Sequence, residues 1–398
     1  MNKLISTLQA LTSKKERTII GLMSGTSIDG LDIALCKIRG SGAGTEARVE
    51  AFTSMGYDSE TLRLLRAIAF RDAISQTDLA IANDYLGRLY ARFIMDAITG
   101  WGLQSSSVDA IASHGQTVFH APTRLHGRPG YPNATLQIVD GDHIAWHTGI
   151  LTVCDFRQKH VAAGGEGAPL AAYGDWLLFS KPGVNRVMLN IGGIANFTWL
   201  PGRETGNAPF SLDTGPGNTL IDAAIREHFS PMTYDEGGRI GTSGLVRNDL
   251  LGILKQHPYF RKEPPKTCGP EDFDLDFIKR SVQESGPVSP ADLVATLTAF
   301  TAETIAATVK AYTSPGEVNE LHVSGGGVHN QFLMSLLAGL LPGYKVASSS
   351  EIGLDPDSKE ALIFAVLANE TLVGEGVPFE VQGAGMRKLS LGKICLPW

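Results

Sequence analysis

Cysteine is scarce in this chain: four residues in 398, Cys36, Cys154, Cys268 and Cys395, with no C-x-x-C spacing among them. That pattern excludes a disulfide framework and a zinc site of the usual spacing, and it suits a reducing cytoplasm. Long basic runs are also missing, and the formal net charge is −7. Nucleic acid, whose phosphates demand clustered Lys and Arg, is therefore not the expected partner. No stretch reaches the roughly 18 uninterrupted apolar residues of a membrane span, and Leu4, Leu8 and Leu11 are interrupted by polar residues ahead of Lys14, Lys15 and Arg17, so neither a membrane nor a signal peptide is expected. The sequence contains no G-x-x-x-x-G-K-S/T loop and no H-R-D kinase set. The triple glycine at 325–327 does not open a G-x-G-x-x-G dinucleotide fingerprint.

Glycine, by contrast, is abundant at 45 residues and falls in clusters between apolar runs, where ligand loops of α/β enzymes lie. The length predicts two domains with a cleft, each large enough for its own core. Thr18 to Met23 and Leu31 to Ile38 read as a hairpin around Ser24–Gly30, and Arg186 to Leu200 reads as another around Gly192-Gly193. Two such openings, about 165 residues apart, predict a duplicated architecture. Helical periodicity runs between Leu62 and Ile98, from Leu170 to Phe179, over Pro290 to Tyr312, from Asn330 to Leu340 and over Lys359 to Asn369. Short strands are expected at Val108 to Ser113, Ala134 to Val139, Ile150 to Cys154 and Leu321 to Ser324. Arg124 to Asn133 reads as a surface loop.

Several polar stretches fall where such elements end, and each has a structural reading beside a chemical one. Asp213-Thr214-Gly215-Pro216-Gly217-Asn218 reads as a glycine turn opening a helix at Thr219, with backbone N–H groups suited to an anion. Asp213 there is either a catalytic carboxylate or a brace for the turn. Ser24 to Gly30 is either a phosphate cradle, with Asp29 or Asp32 holding hydrated Mg²⁺, or a polar hairpin. His114, Gln116 and His120 follow a strand and point toward a cleft or are satisfied structurally. Arg157 grips an anion or pairs with Asp155. Glu360 stands in a first helical turn, where an acid complements the dipole.

Taken together, Gly25-Thr26-Ser27-Ile28-Asp29-Gly30-Leu31-Asp32, Ser113-His114-Gly115-Gln116-Thr117, Asp155-Phe156-Arg157, Asn190-Ile191-Gly192-Gly193-Ile194-Ala195-Asn196, Asp213 to Asn218, Pro264-Pro265-Lys266-Thr267 and Ser324 to Asn330 resemble, in order, the anhydro-N-acetylmuramic acid kinase family. The resemblance covers nearly the whole chain. It implies an α/β, two-lobed actin/hexokinase/Hsp70-like ATPase (ribonuclease H-like) fold with a central cleft. The expected lobes are 1–150, joined by 388–398, and 151–387. It implies a cytoplasmic homodimer that uses ATP with Mg²⁺ to open a 1,6-anhydro sugar and phosphorylate it, a step of cell-wall recycling. Asp213 matches the catalytic base. Gly25, Thr26, Ser27, Ile28, Asp29, Gly30, Leu31 and Asp32 match the ATP phosphate loop, with Gly192, Gly193, Gly325, Gly326 and Gly327 also on the nucleotide. Arg157 and Glu360, with His114 and Gln116, match sugar contacts. Metal ligands are not identified by the resemblance. Two departures, the longer 124–133 loop and Ser324 in place of a frequent cysteine, leave a related sugar such as levoglucosan open as substrate. A non-catalytic sugar or nucleotide sensor is the reading from another functional class, and the retained Asp213 argues against it.

Overall fold

A computed structural model describes residues 3–398 except 26–27, 206, 264–265, 267, 269–271, 314–317, 354–357 and 382–383. Thr26, Ser27, Pro264, Pro265 and Thr267 of the motifs above therefore lie outside the described residues. The chain divides into two compact units, one of Met1–Phe179, Gly206–Ala208 and Asp357–Trp398, the other of Ser180–Thr205 and Pro209–Pro356. The boundary thus falls after Phe179, not at 150, and the chain returns to the first unit from Asp357, not from 388. The reason is packing. Helix Ala171–Phe179 and helix Lys359–Val373 bury Tyr173, Leu177, Leu362, Ile363 and Phe364 in the first unit's core.

The first unit is built on a sheet of β1 (Glu16–Ser24), β2 (Gly30–Arg39), β3 (Glu46–Gly56), β4 (Ala110–Ala121), β5 (Ala134–Ile138), β6 (Thr152–Cys154) and the C-terminal strand Lys393–Cys395. β1, β2 and β3 form an antiparallel meander, β4 runs parallel to β1, and β6 runs parallel to β4. Alternate residues of β1 and β2 face opposite sides. Ile19, Ala34 and Cys36 meet helix Lys359–Val373, whereas Ile20, Ile33 and Leu35 meet helix Gln76–Gly100. A sheet covered on both faces must read as nearly continuous apolar sequence, as β1 does.

The second unit repeats the arrangement. Its sheet runs β11 (Lys345–Ser348), β10 (Val318–Ser324), β7 (Asn185–Ile191), β8 (Ile194–Leu200), β9 (Phe210–Pro216). Again the first three strands form a meander, and the next two run parallel beside the first. The order β3-β2-β1-β4-β6 of one unit is β9-β8-β7-β10-β11 in the other. This is the duplicated ribonuclease H-like arrangement of the actin and hexokinase class. Helix Pro290–Tyr312 is the second unit's central core helix. Ser289 caps it by accepting from the Asp292 N–H, Pro290 begins it, and Ala302, Ile305 and Val309 pack on the sheet while Leu293, Leu297 and Phe300 bury on another side. By length and composition it could cross a bilayer, but most of it is buried inside this unit.

Three local expectations change. The 62–98 stretch is two helices, Ser59–Ile68 and Gln76–Gly100, because Asp58 and Ser75 each cap a new start. β4 does not end at Ser113 but runs to Ala121, since it leaves β1 and picks up β5 beyond Gln116. His114, Gln116 and His120 are therefore strand residues, not residues beyond a strand end. Asp213 is likewise on a strand, β9, opposite Asn196 of β8.

One contact in the first unit is unusually close. A Cβ on Gly21 of β1 would lie 1.9 Å from the Ala361 carbonyl oxygen of helix Lys359–Val373, a backbone atom that cannot swing aside. Gly21→Ala is expected to destabilise the protein by about 1–3 kcal/mol through overpacking. Gly252→Ala, in helix Asn248–Leu254 with nothing within 4 Å of the added carbon, should be neutral or gain about 0.5–1 kcal/mol. Urea unfolding of the two variants checks the contrast.

Candidate active site

In the second unit, three glycine-bearing segments converge at one end of the sheet. The β7–β8 turn at Gly192-Gly193 accepts the N–H groups that follow β9: Gly217 N donates to Gly193 O (2.8 Å), Asn218 N to Gly192 O (2.8 Å) and Thr219 N to Gly193 O (3.2 Å). A Cβ on Gly217 would sit 2.3 Å from Gly192 O, so only glycine permits the approach. The Gly217, Asn218 and Thr219 amides leading into helix Thr219–His228 are thereby spent on protein carbonyls and do not cradle an anion. Gly325, at φ +79°, and Gly327 close the cluster from the end of β10, where side chains would collide with Asn190 and Ile191 of β7. Asn218 Nδ2 reaches Ile191 O (3.4 Å).

Asp213 stands on β9 at the edge of this cluster and is half-buried. Its Oδ2 accepts from the Cys268 backbone N–H (3.0 Å), and its carbonyl accepts from the Tyr259 hydroxyl (2.7 Å). Asp213 is thus not a helix cap; Asn218 occupies that position. Burial, with Asp213 alongside, pushes the Cys268 thiol up to about 12 and raises the Tyr259 phenol. Both stay protonated at neutral pH. Tyr259 and Cys268 had no signal in the sequence, because their role is set by a partner 46 and 55 positions away.

The first unit carries a second cluster. Its Gly25 loop is braced from β4: Ser24 Oγ donates to Gln116 Oε1 (2.6 Å), and Gln116 Nε2 donates to Gly25 O (3.1 Å). Gln116 is fully buried, so its amide positions the loop between β1 and β2. Ile28 in that loop has φ +54°, Asp29 is exposed, and Asp32, on β2, accepts from the Ser54 hydroxyl.

Arg157 leans on His114, donating from Nε (3.0 Å) and Nη2 (2.8 Å) to the imidazole Nε2, and from Nη1 to Gly167 O (2.8 Å). Because Nε2 accepts, the ring proton must sit on Nδ1. Asp155 does not pair with Arg157; its carboxylate meets Lys393. Its left-handed φ of +53° turns the chain out of β6 into helix Phe156–Ala162, which carries Arg157. Glu360, in the first turn of helix Lys359–Val373, opens to solvent. Desolvation by surrounding protein nonetheless holds its carboxyl above the usual range, with Lys359 opposing and Asp32 adding to the rise. Arg157 and Glu360 thus belong to the first unit and not, as expected, to the lobe that carries Asp213.

Burial, reinforced by the Arg157 charge, lowers His114 to about 3 from its ordinary 6.5. The neutral ring fits the native state, whereas the unfolded chain binds a proton below pH 6.5. Stability from this group is complete above that pH and falls as pH drops toward 3. His114→Gln should therefore lose less stability than the parent between pH 7 and pH 5, as read from thermal midpoints across that range. A parallel fall in both proteins would exclude His114 as a source of acid sensitivity.

Residues 17–396 match the family model for anhydro-N-acetylmuramic acid kinase. The chain is 44% identical over 400 residues to the anhydro-N-acetylmuramic acid kinase of Pseudoalteromonas atlantica, covering 100% of both chains. It is 34% identical to that of Caldanaerobacter subterraneus, over 98% of this chain and 99% of the relative. A more distant likeness is to the solved activator of the 2-hydroxyisocaproyl-CoA dehydratase from Clostridium difficile with bound ADPNP, at 13% identity and a TM-score of 0.42, over 89% of this chain and 95% of that one. With full-length relatives at that identity and seven sequence motifs in order, the chain belongs to the anhydro-N-acetylmuramic acid kinase family.

Proposed function

We infer that this protein is an ATP-dependent kinase that opens the 1,6-anhydro ring of anhydro-N-acetylmuramic acid and phosphorylates O6, giving N-acetylmuramic acid 6-phosphate for cell-wall recycling. The observation that carries the mechanism is Asp213: a carboxylate on a rigid strand, oriented by the Cys268 N–H and anchored through Tyr259, within the family's D-T-G-P-G-N motif. In a 1,6-anhydro sugar O6 is bonded to C1, so no free hydroxyl awaits the phosphoryl group. Water attacks C1 as Asp213 takes its proton, the C1–O6 bond breaks, and O6 attacks the γ-phosphorus with ADP leaving.

The Gly25 to Asp32 loop is the proposed phosphate loop, and Gly192, Gly193 and Gly325 to Gly327 the proposed nucleotide-side glycines. Gln116 supports that loop from below. Mg²⁺ fits the donor set there, because Asp29 and Asp32 are hard oxygen ligands and this ion keeps several waters beside one or two carboxylates and the substrate phosphates. Asp29 or Asp32 would hold it, where it would offset charge on the transferring group. Arg157, presented by His114 and the Gly167 carbonyl, supplies charge-assisted hydrogen bonds to the sugar, with Glu360 as the second sugar ligand. A cytoplasmic homodimer accompanies this reading; the four free thiols accord with the location.

ADP release in the presence of a panel of anhydro sugars, levoglucosan included, tests the substrate. In ¹⁸O-labelled water the label is expected in the anomeric hydroxyl and not in the phosphate, read before anomeric exchange. Asp213→Asn should lower kcat by about 10² to 10⁴ with ATP binding retained. Label in the phosphate, or near-parent turnover in the variant, would exclude Asp213-assisted attack at C1.

Arg157→Ala and Glu360→Ala are each expected to raise the sugar KM about tenfold to a hundredfold, equivalent to about 1.5–3 kcal/mol for a charged hydrogen bond. The ATP KM should change little. Steady-state kinetics with each substrate varied in turn decides it, and a rise confined to ATP would reassign both residues to the nucleotide.

A further inference from the structure

Beside the Arg157 cluster, on the same unit, β4 and β5 form the floor of a cavity of about 870 Å³. Val118, Phe119 and Leu136 supply its apolar base with Ile74, and Leu125 and Tyr131 rise as walls. Tyr131 is 69% exposed and Leu125 60%, a large apolar surface to leave in water on one short loop. The rim has the opposite character to the protein as a whole. The chain is acidic, at −7, yet Arg71, Arg128, His120 and His126 line this cavity with only Asp72 against them. Arg71 is held by the Arg66 carbonyl and not by a carboxylate, and neither Arg71 nor Arg128 forms an ion pair among the described residues.

The wall is built, not loose. Asn133 Oδ1 accepts from Thr123 N (2.8 Å) and Oγ1 (3.0 Å), closing the 123–133 loop on itself, and its Nδ2 donates to the carbonyls of Gly164 and Gly165 (3.2 Å each). Arg124 pairs with Glu166 (3.0 Å), and His126 accepts from Arg128 N (3.0 Å). A volume in the range of small-molecule sites, an apolar floor and unpaired cations on a pre-set wall are the features of a ligand pocket. We propose that this cavity is a second binding site, for a small organic anion with an aromatic or otherwise apolar body. The apolar part lies on Phe119, Leu136 and Tyr131, and the carboxylate, sulfonate or phosphate meets Arg71 and Arg128. The site does not depend on the sugar reading of Arg157, and either can fail without the other.

The full-length protein, with ADP present to occupy the nucleotide site, is titrated with 2-naphthoate and, in parallel, with neutral 2-naphthylmethanol by equilibrium dialysis. One equivalent of naphthoate should bind saturably, at least tenfold more tightly than the alcohol. Arg71→Ala/Arg128→Ala should weaken naphthoate at least tenfold and leave the alcohol unchanged, and Tyr131→Ala should weaken both. All three side chains are exposed, so folding is not at risk. Absence of saturable binding, equal affinity for the two probes, or parent-like naphthoate binding by the double variant overturns the proposal.

Discussion

The close seat of helix Lys359–Val373 on β1, possible only because Gly21 has no side chain, is the constraint on which the first unit depends. Once backbone meets backbone there, the helix cannot slide. Its lower turns then fix a polar belt: Asn369 Oδ1 accepts from Arg17 (2.6 Å), and Glu370 accepts from the N–H groups of Gly42 (2.7 Å) and Gly376 (3.0 Å). Its upper turns fix the candidate site residues. Phe364 lies 4.7 Å from the His114 ring, Lys359 meets the buried Asp175 (3.1 Å), and Glu360 sits one residue beyond. A helix far down the sequence thereby sets residues contributed by β4 and by the segment after β6. The packing energy of an apolar face and the position of a candidate ligand are here the same fact.

The second unit solves its problem by a different balance. Helix starts are anion sites only when their N–H groups are unspent, and here Gly217, Asn218 and Thr219 donate theirs to the Gly192-Gly193 turn. That sacrifice makes the β9 end rigid. Asp213 inherits the rigidity, which the role of base proposed for it would need more than a neighbouring positive dipole.

Much of the fold was legible because it rests on periodicity. Pro290 to Tyr312 was readable to the residue, since Ser289, Pro290 and Asp292 mark its start and the apolar spacing carries it through. Paired hairpin openings were enough to expect duplication, and the two identical strand orders are that duplication. What could not be read were elements whose identity lies in a partner. β9 looks like a turn because Asp213 to Pro216 is rich in turn formers, and only the β8 ladder makes it a strand. The far half of β4 is polar at His114, Gln116 and Thr117, so alternation is lost, yet β5 pairs it. The unit boundary is hidden in the sequence for the same reason, because nothing local in Lys359–Val373 says which sheet it covers.

The site residues show the same division at the level of chemistry. Residue type alone left Arg157 between an anion grip and a pair with Asp155, and geometry separates them: Asp155 goes to Lys393, and Arg157 to a histidine that burial keeps neutral. A neutral imidazole orients a guanidinium without cancelling its charge, as a carboxylate partner would. The consequence for recognition is direct. Arg157 is held in place by a neutral imidazole and a backbone carbonyl, acceptors that leave it cationic, as the sugar contact proposed for it would require.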